Sequence, residues 1–172
     1  GGSQDAVIFK LSSTGSTLLY STYFGGTSSD FGQGIDIDPK GNAVITGYTR
    51  SSDLYTSKKA EDRTINGYTC GFLSKLDPSG ANMIYSSYIG GSSSDYGESV
   101  KFLSNGEALM VGYSYSSSYP TTSGVYSRVH GGSSDVVLSS FNFTARPDAP
   151  TDLTGTFSYG RVELDWNAPI DD

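Results

Sequence analysis

Apolar residues in this chain fall in short runs broken by glycine, serine and aspartate, and no run carries a helical period. Ala6 to Leu11 (AVIFKL) is mainly apolar on both faces, the pattern of a strand sandwiched between layers. Thr17 to Phe24 (TLLYSTYF) has the tyrosine, threonine and branched content of a second strand, ended by Gly25-Gly26. Ser13-Thr14-Gly15 between them is turn chemistry, so the two predict a hairpin. Ile35-Asp36-Ile37-Asp38 then alternates strictly, and Pro39-Lys40-Gly41-Asn42 turns the chain into Ala43 to Tyr48 (AVITGY), a second hairpin. A Ser-rich connection from Ser51 to Ile65 follows. The expected unit is four antiparallel strands running from Ala6 to Tyr48.

That unit recurs with an offset of 65 residues, the distance from Asp30 to Asp95. Tyr20, Tyr23, Gly25, Gly26, Asp30 and Gly32 return as Tyr85, Tyr88, Gly90, Gly91, Asp95 and Gly97, and Gly47-Tyr48 as Gly112-Tyr113. A third copy begins at Gly132, with Val136 to Phe141 in the place of Gly71 to Leu76. One small sheet cannot bury both of its faces, so stacked copies must form the core between them. Four antiparallel strands per repeat is the arrangement of a β-propeller blade, and two copies with part of a third fall short of the 4–8 blades that close a propeller. The missing blades are expected upstream in the same chain or from neighbouring subunits.

The residues DAVIFKL, STG, LLYSTYFGG and SSDFGQGIDIDPKGNAVITGYT resemble the SBBP repeats, a β-propeller family of mostly large bacterial and archaeal cell-surface and secreted proteins. The shared marks are Asp5-Ala6, the Tyr-Ser-Thr-Tyr-x-Gly-Gly segment, the Asp-x-Gly bend and the Gly-Asn-Ala…Thr-Gly-Tyr strand. The second copy departs with Cys70-Gly71 for Asp-Ala and Asn105-Gly106-Glu107 for Lys-Gly-Asn, at turn and packing positions. From Arg146 the repeat stops. Pro147-Asp148-Ala149-Pro150 and then Val162 to Pro169 (VELDWNAP) resemble the opening of a fibronectin type III domain, with Trp166 in the place of its core tryptophan. The expected organisation is an incomplete run of propeller repeats over 1–145 and a linker with the first strands of a fibronectin module over 146–172. The chain reads as a piece of something longer.

Composition supports an all-β class: among 172 residues there are 22 Gly and 13 Tyr, with 17% charged. A net charge of −7 without Lys/Arg clusters argues against nucleic acid and anionic membrane surfaces. No apolar run approaches the roughly 20 residues of a membrane span. Cys70 is the only cysteine, which excludes an internal disulfide, and reads as a small half-buried strand residue. His130, the only histidine, reads as a solvent-facing loop residue.

Candidate sites are few. Ser28-x-Asp30-x-Gly32 and Ser93-x-Asp95-x-Gly97 resemble the Asp-box of sialidase-type propellers; a carboxylate accepting backbone N–H bonds would fix a bend at each. Calcium is the competing reading, weakened because the copies of Asp36 and Asp38 are Lys101 and Leu103. No nucleophile–base pattern, Cys/His metal spacing or phosphate-binding glycine loop is present, so no enzyme activity and no cofactor are expected. Tyrosines at repeated strand positions (Tyr20, Tyr23, Tyr48 and copies) suit packing between repeats. Tyr55, Tyr115, Tyr119 and Tyr126, in the connections, are the candidates for a surface contact. Asn142-Phe143-Thr144 is the one glycosylation sequon, expected in an exposed turn. Any localised function is expected where the repeat fails, in Asp53 to Ile65, Ser118 to His130 and the tail.

From the SBBP resemblance we expect a non-catalytic cell-surface or secreted structural or adhesion protein, a filament subunit or envelope scaffold, whose partners are other subunits or surface glycans and which can self-assemble. The alternatives are a lectin-like binding module and an accessory propeller of a secreted carbohydrate-active enzyme.

Overall fold

A computed structural model describes residues 1–143 with their side chains, and the backbone of 151–158 and 161–167. The chain divides into two units, Gly1–Phe141 and Asn142–Asp172. The first unit contains β1 (Ala6–Leu11), β2 (Leu18–Phe24), β3 (Asp30–Ile37), β4 (Ala43–Thr49), β5 (Cys70–Leu76), β6 (Met83–Ile89), β7 (Asp95–Phe102) and β8 (Glu107–Ser114), with β9 (Asp135–Asn142) at its end. In the second unit β10 (Thr151–Ser158) and β11 (Arg161–Asn167) form an antiparallel hairpin. Trp166 lies in β11.

The pairings β1-β2, β3-β4, β4-β5, β5-β6, β7-β8 and β10-β11 are antiparallel, but the sheets are cut differently from the sequence repeat. The first sheet is β1-β2, the second β3-β4-β5-β6 and the third β7-β8-β9. A four-stranded unit over Ala6 to Tyr48 is therefore corrected: β4 pairs with β5 across the Ser-rich connection, from Ala43↔Leu76 to Thr49↔Cys70, and the second and third sheets begin after Gly25-Gly26 and Gly90-Gly91. The reason is in the link and the connection. Gly25-Gly26 leads the chain out of the outer strand of one sheet into the first strand of the next. The long connection returns over the edge of its own sheet. There Ser57 N–H donates to the Ser86 carbonyl, Ser86 N–H to Ser57 Oγ, and Tyr88 N–H to the Asp62 carbonyl, at 2.8–3.1 Å. The segment thus covers the open edge of β6, a position that would otherwise offer unpaired backbone groups.

Turn chemistry is repeated faithfully. Gly41 (φ 84°) and Gly106 (φ 90°) close the β3–β4 and β7–β8 hairpins in the left-handed region that β-carbons disfavour. Before the first of them, Asp38 accepts from the N–H groups of Lys40 and Asn42 and from the Asn42 side chain. Asp38 also pairs at 2.8 Å with Lys75 of β5, both side chains buried.

The core lies between sheets. Ile8 and Phe24 of the first sheet meet Ala43, Ile45, Phe72, Leu76 and Tyr88 of the second, with the rings of Phe24 and Phe72 5.0 Å apart. On the opposite face β7 lies against β3, β4 and β5, and Val44, Leu73, Val100 and Met110 are buried. Flanked on both sides, β5 has no residue outside the core. Its copy β1 alternates instead, with only Ile8 buried. A strand apolar on both faces is therefore realised in β5 and not in β1.

Candidate functional site

The Asp30 and Asp95 clusters are duplicates built at the start of β3 and β7. Asp30 Oδ2 accepts from Gly26 N–H and Ser51 Oγ, both at 2.8 Å, while Oδ1 accepts from Thr49 Oγ1. In the second copy Asp95 accepts from Gly91 N–H (2.7 Å), Ser116 Oγ (2.8 Å) and Ser114 Oγ. The hydroxyls are in turn used by backbone: Ser51 Oγ accepts from Ser28 N–H and Ser116 Oγ from Ser93 N–H. A β-carbon on Gly25 or Gly90 would come within 2.6 Å of the aspartate carboxylate, which is why this link is glycine in both copies. The carboxylates are 1% exposed, so what the arrangement does is clamp the Gly-Gly link to the following strand. Gly32 and Gly97 lie inside β3 and β7, beside irregularities in register before Gly34 and Ser99. No buried side-chain nitrogen or oxygen among the described residues lacks a partner, and none of those residues form a group of three or more His, Cys, Asp or Glu able to hold a metal.

A row of aromatic rings crosses from the second sheet to the third. Phe31 stacks on Tyr48, its cross-strand partner, at 4.7 Å; Tyr48 meets Tyr96 edge-on at 4.9 Å; Tyr96 stacks on its own partner Tyr113 at 4.6 Å. Tyr115 closes the row against Tyr96 and Tyr113 at 6.4 and 5.9 Å and is about half exposed. Burial, then the Glu98 carboxylate and the neighbouring phenols, raise the Tyr113 phenol above its ordinary value. Sequence reasoning picked out Tyr115 but not Phe31 or Tyr96. Their signal was the 65-residue correspondence itself, which places an aromatic after the aspartate in both copies.

The other sequence candidates scatter. Tyr55 and Tyr126 are exposed. Tyr119, grouped with the surface tyrosines, is instead half-buried: its hydroxyl lies 3.0 Å from Ser139 Oγ of β9, and burial pushes its phenol up to about 12. Among the tyrosines expected between repeats, Tyr88 is fully buried, donating to the Ser51 carbonyl (2.7 Å) and accepting from Leu54 N–H (3.0 Å), whereas its copy Tyr23 is 77% exposed. Asn142 is exposed but ends β9 rather than lying in a turn, because the strand extends one residue past the end of its copy β5. Cys70 is fully buried rather than half-buried, and burial pushes its thiol up to about 12. His130 is half-buried with Nε2 at 3.2 Å from the Ser114 carbonyl, not solvent-facing. In the non-repeating connection Asp53 Oδ1 accepts from Thr27 N–H and Oγ1, and its copy Ser118 contacts Ser92 in the same way, so this part of the connection also serves the Gly-Gly link.

Residues 19–55 match the family model described as SBBP, Beta-propeller repeat. The match runs from β2 through β4 into the connection, and so contains the whole Asp30 cluster together with Phe31 and Tyr48. No curated protein matches the chain.

Proposed function

We propose that the chain is part of a non-catalytic cell-surface or secreted protein in which propeller blades of the SBBP type act as a structural or adhesive scaffold. The observation that carries this reading is the duplicated Asp30 and Asp95 clusters, where every carboxylate oxygen is spent on holding one sheet to the next. Residues repeated for chemistry would leave a reactive atom open; these leave none. The matched repeat supplies the propeller part of the reading, and export follows from the resemblance stated for it. Asn142–Asp172, with its β10–β11 hairpin and Trp166 in β11, is read as the opening of a fibronectin type III module serving as a spacer. Antibody labelling of intact and permeabilised source cells tests the placement: labelling of intact cells is expected, and signal confined to permeabilised cells would sink it.

The second reading, a glycan-binding module, is favoured by the row ending at Tyr115, since ring faces stack on sugars. A glycan array separates the two. Binding lost in Tyr115→Ala would replace the scaffold reading, and silence across the array leaves it in place.

A further inference from the structure

We propose that Asn42 and Lys75 join side chain to side chain in an amide bond formed within the folded protein, with loss of ammonia and with Asp38 as the proton carrier. The inference goes beyond the scaffold reading and does not depend on where the protein acts. Lysine is seldom buried unless paired, and an amine held out of water beside an amide is a nucleophile next to its electrophile. Asp38, Asn42 and Lys75 are 5%, 6% and 8% exposed.

The arrangement around Asp38 is what such a reaction requires. Lys75 Nζ lies 2.8 Å from Asp38 Oδ2, and Asn42 Nδ2 donates to the same oxygen at 2.7 Å. The other oxygen, Oδ1, accepts from the N–H groups of Lys40 and Asn42 and so fixes the carboxylate on its turn. One oxygen therefore touches both the nitrogen that must lose protons and the nitrogen that must gain one. The Phe102 ring of β7 lies 5.2 Å from Nζ and helps to keep water away.

The repeat shows that the two side chains can reach each other. Glu107 and Ser140 are the copies of Asn42 and Lys75, and Ser140 Oγ donates to Glu107 Oε2 at 3.0 Å. In that copy the aspartate is replaced by Leu103. Both copies have the geometry. Only the one in the second sheet has amine, amide and carboxylate together.

In the reaction Lys75 Nζ first gives a proton to Asp38, and its freed lone pair bonds to Asn42 Cγ. Asp38 then passes that proton to Nδ2, the Cγ–Nδ2 bond breaks, and ammonia leaves. Asp38 takes the surplus proton from Nζ, which is now an amide nitrogen, and yields it to the ammonia. Nothing is oxidised or reduced, and the carboxylate is regenerated. Burial acts to raise the Asp38 pKa, but hydrogen bonds from Lys75 and Asn42 hold it at about 2, so the resting pair is ionic and the neutral, reacting pair is the minor form. The reaction is therefore slow, and the holding of both groups on one oxygen, with effective molarities of about 10⁵ M or more in well-oriented cases, is what allows it.

Intact-mass measurement of the full chain during incubation at 37 °C and neutral pH tests the proposal. The expected result is a species lighter by about 17 Da, the mass of ammonia, whose fraction grows over days. Its tryptic digest is expected to contain residues 41–50 joined to residues 64–101, with Lys75 uncut. Lys75→Arg keeps a cation beside Asp38 but has no nucleophilic amine, and is expected to fold and to lose no ammonia at this site. Asp38→Ala is expected to slow the reaction at least about a hundredfold, and the arginine variant covers the case in which it does not fold. The proposal is overturned by an unchanged mass with Lys75 cut normally. It is also overturned by ammonia loss confined to ring closure at Asn66-Gly67 or Asn105-Gly106, by the joined peptide persisting in Lys75→Arg, or by an undiminished rate in folded Asp38→Ala.

Discussion

The first sheet and the outer half of the second are corresponding pieces of the repeat, yet they differ in burial at most of their positions. Phe72 and Tyr88 are 0% exposed; their copies Val7 and Tyr23 are 54% and 77% exposed. Pairing register is shared and the strands differ in length by no more than one residue, so local strand geometry does not produce the difference. It comes from the neighbours: β5-β6 has β3-β4 alongside it and the first sheet on its face. The repeat therefore codes for a unit whose apolar positions are finished only by another unit, the behaviour of a stacked, quasi-one-dimensional protein.

Paired substitutions break this comparison most directly. Tyr88→Ala is expected to cost about 4 kcal/mol in urea unfolding, as for other buried aromatics, with two hydrogen bonds lost besides. Tyr23→Ala at the copied position is expected to stay within about 0.5 kcal/mol. Similar losses at both sites would show that Tyr23 is covered in solution.

The aspartate clamps come next. Asp30→Ala and Asp95→Ala each leave buried donors without an acceptor, and a loss of about 1–3 kcal/mol is expected for either. Restoring hydrogen-bonding capacity with Asp30→Asn should recover part of it. An equal loss in Asn and Ala variants would mean that the charge, and not the hydrogen bonding, holds the link.

Lys75 and Lys10 sharpen the comparison further. Lys75 is paired with Asp38 inside the second sheet, whereas Lys10 only reaches the Pro78 carbonyl at 3.3 Å on an exposed surface. Lys75→Met leaves the buried Asp38 carboxylate without its cation and should destabilise clearly more than Lys10→Met in the same unfolding assay. Burial acts to raise the Asp38 pKa, but hydrogen bonds from Lys75 and Asn42 and the lysine charge outweigh it and hold it down at about 2. A folded-state pKa below the unfolded value means stability is fully present above about pH 4 and is lost as pH falls toward 2. Unfolding midpoints across that window should fall in the parent protein and change less in Asp38→Asn.

The smallest effect expected is at Tyr126, whose side chain is fully exposed. Tyr126→Ala should leave the unfolding midpoint unchanged, while the half-buried Tyr119, hydrogen-bonded to Ser139, should respond to Tyr119→Phe by roughly 1 kcal/mol.

Much of the fold was legible because strands and turns are local. Runs such as AVIFKL and MIYSSYI, and the glycine turns at Gly41 and Gly106, lie where pattern and φ requirements put them. The cut between sheets was not legible, since a hairpin of neighbouring strands and a pairing across a long connection leave the same alternation behind. Nor was the partition of tyrosines into buried and exposed. Tyr23 and Tyr88 sit in near-identical strings, and what separates them is tertiary: the Ser51–Ile65 connection and the first sheet's Ile8 and Phe24 pack with Tyr88. The Asp30 cluster was visible as a motif, but its closure by Thr49 and Ser51 required bringing the end of β4 beside the start of β3.

By itself the sequence determined an all-β chain, a 65-residue period and the positions that must be glycine or turn. These follow from backbone sterics and side-chain alternation, which act within a few residues. Only the tertiary structure decided that one sheet runs from β3 to β6 by pairing β4 with β5, that Tyr119 is anchored to β9, and that Tyr88 is fully buried. Those outcomes depend on which surface lies opposite, and burial between layers is a property of two segments at once.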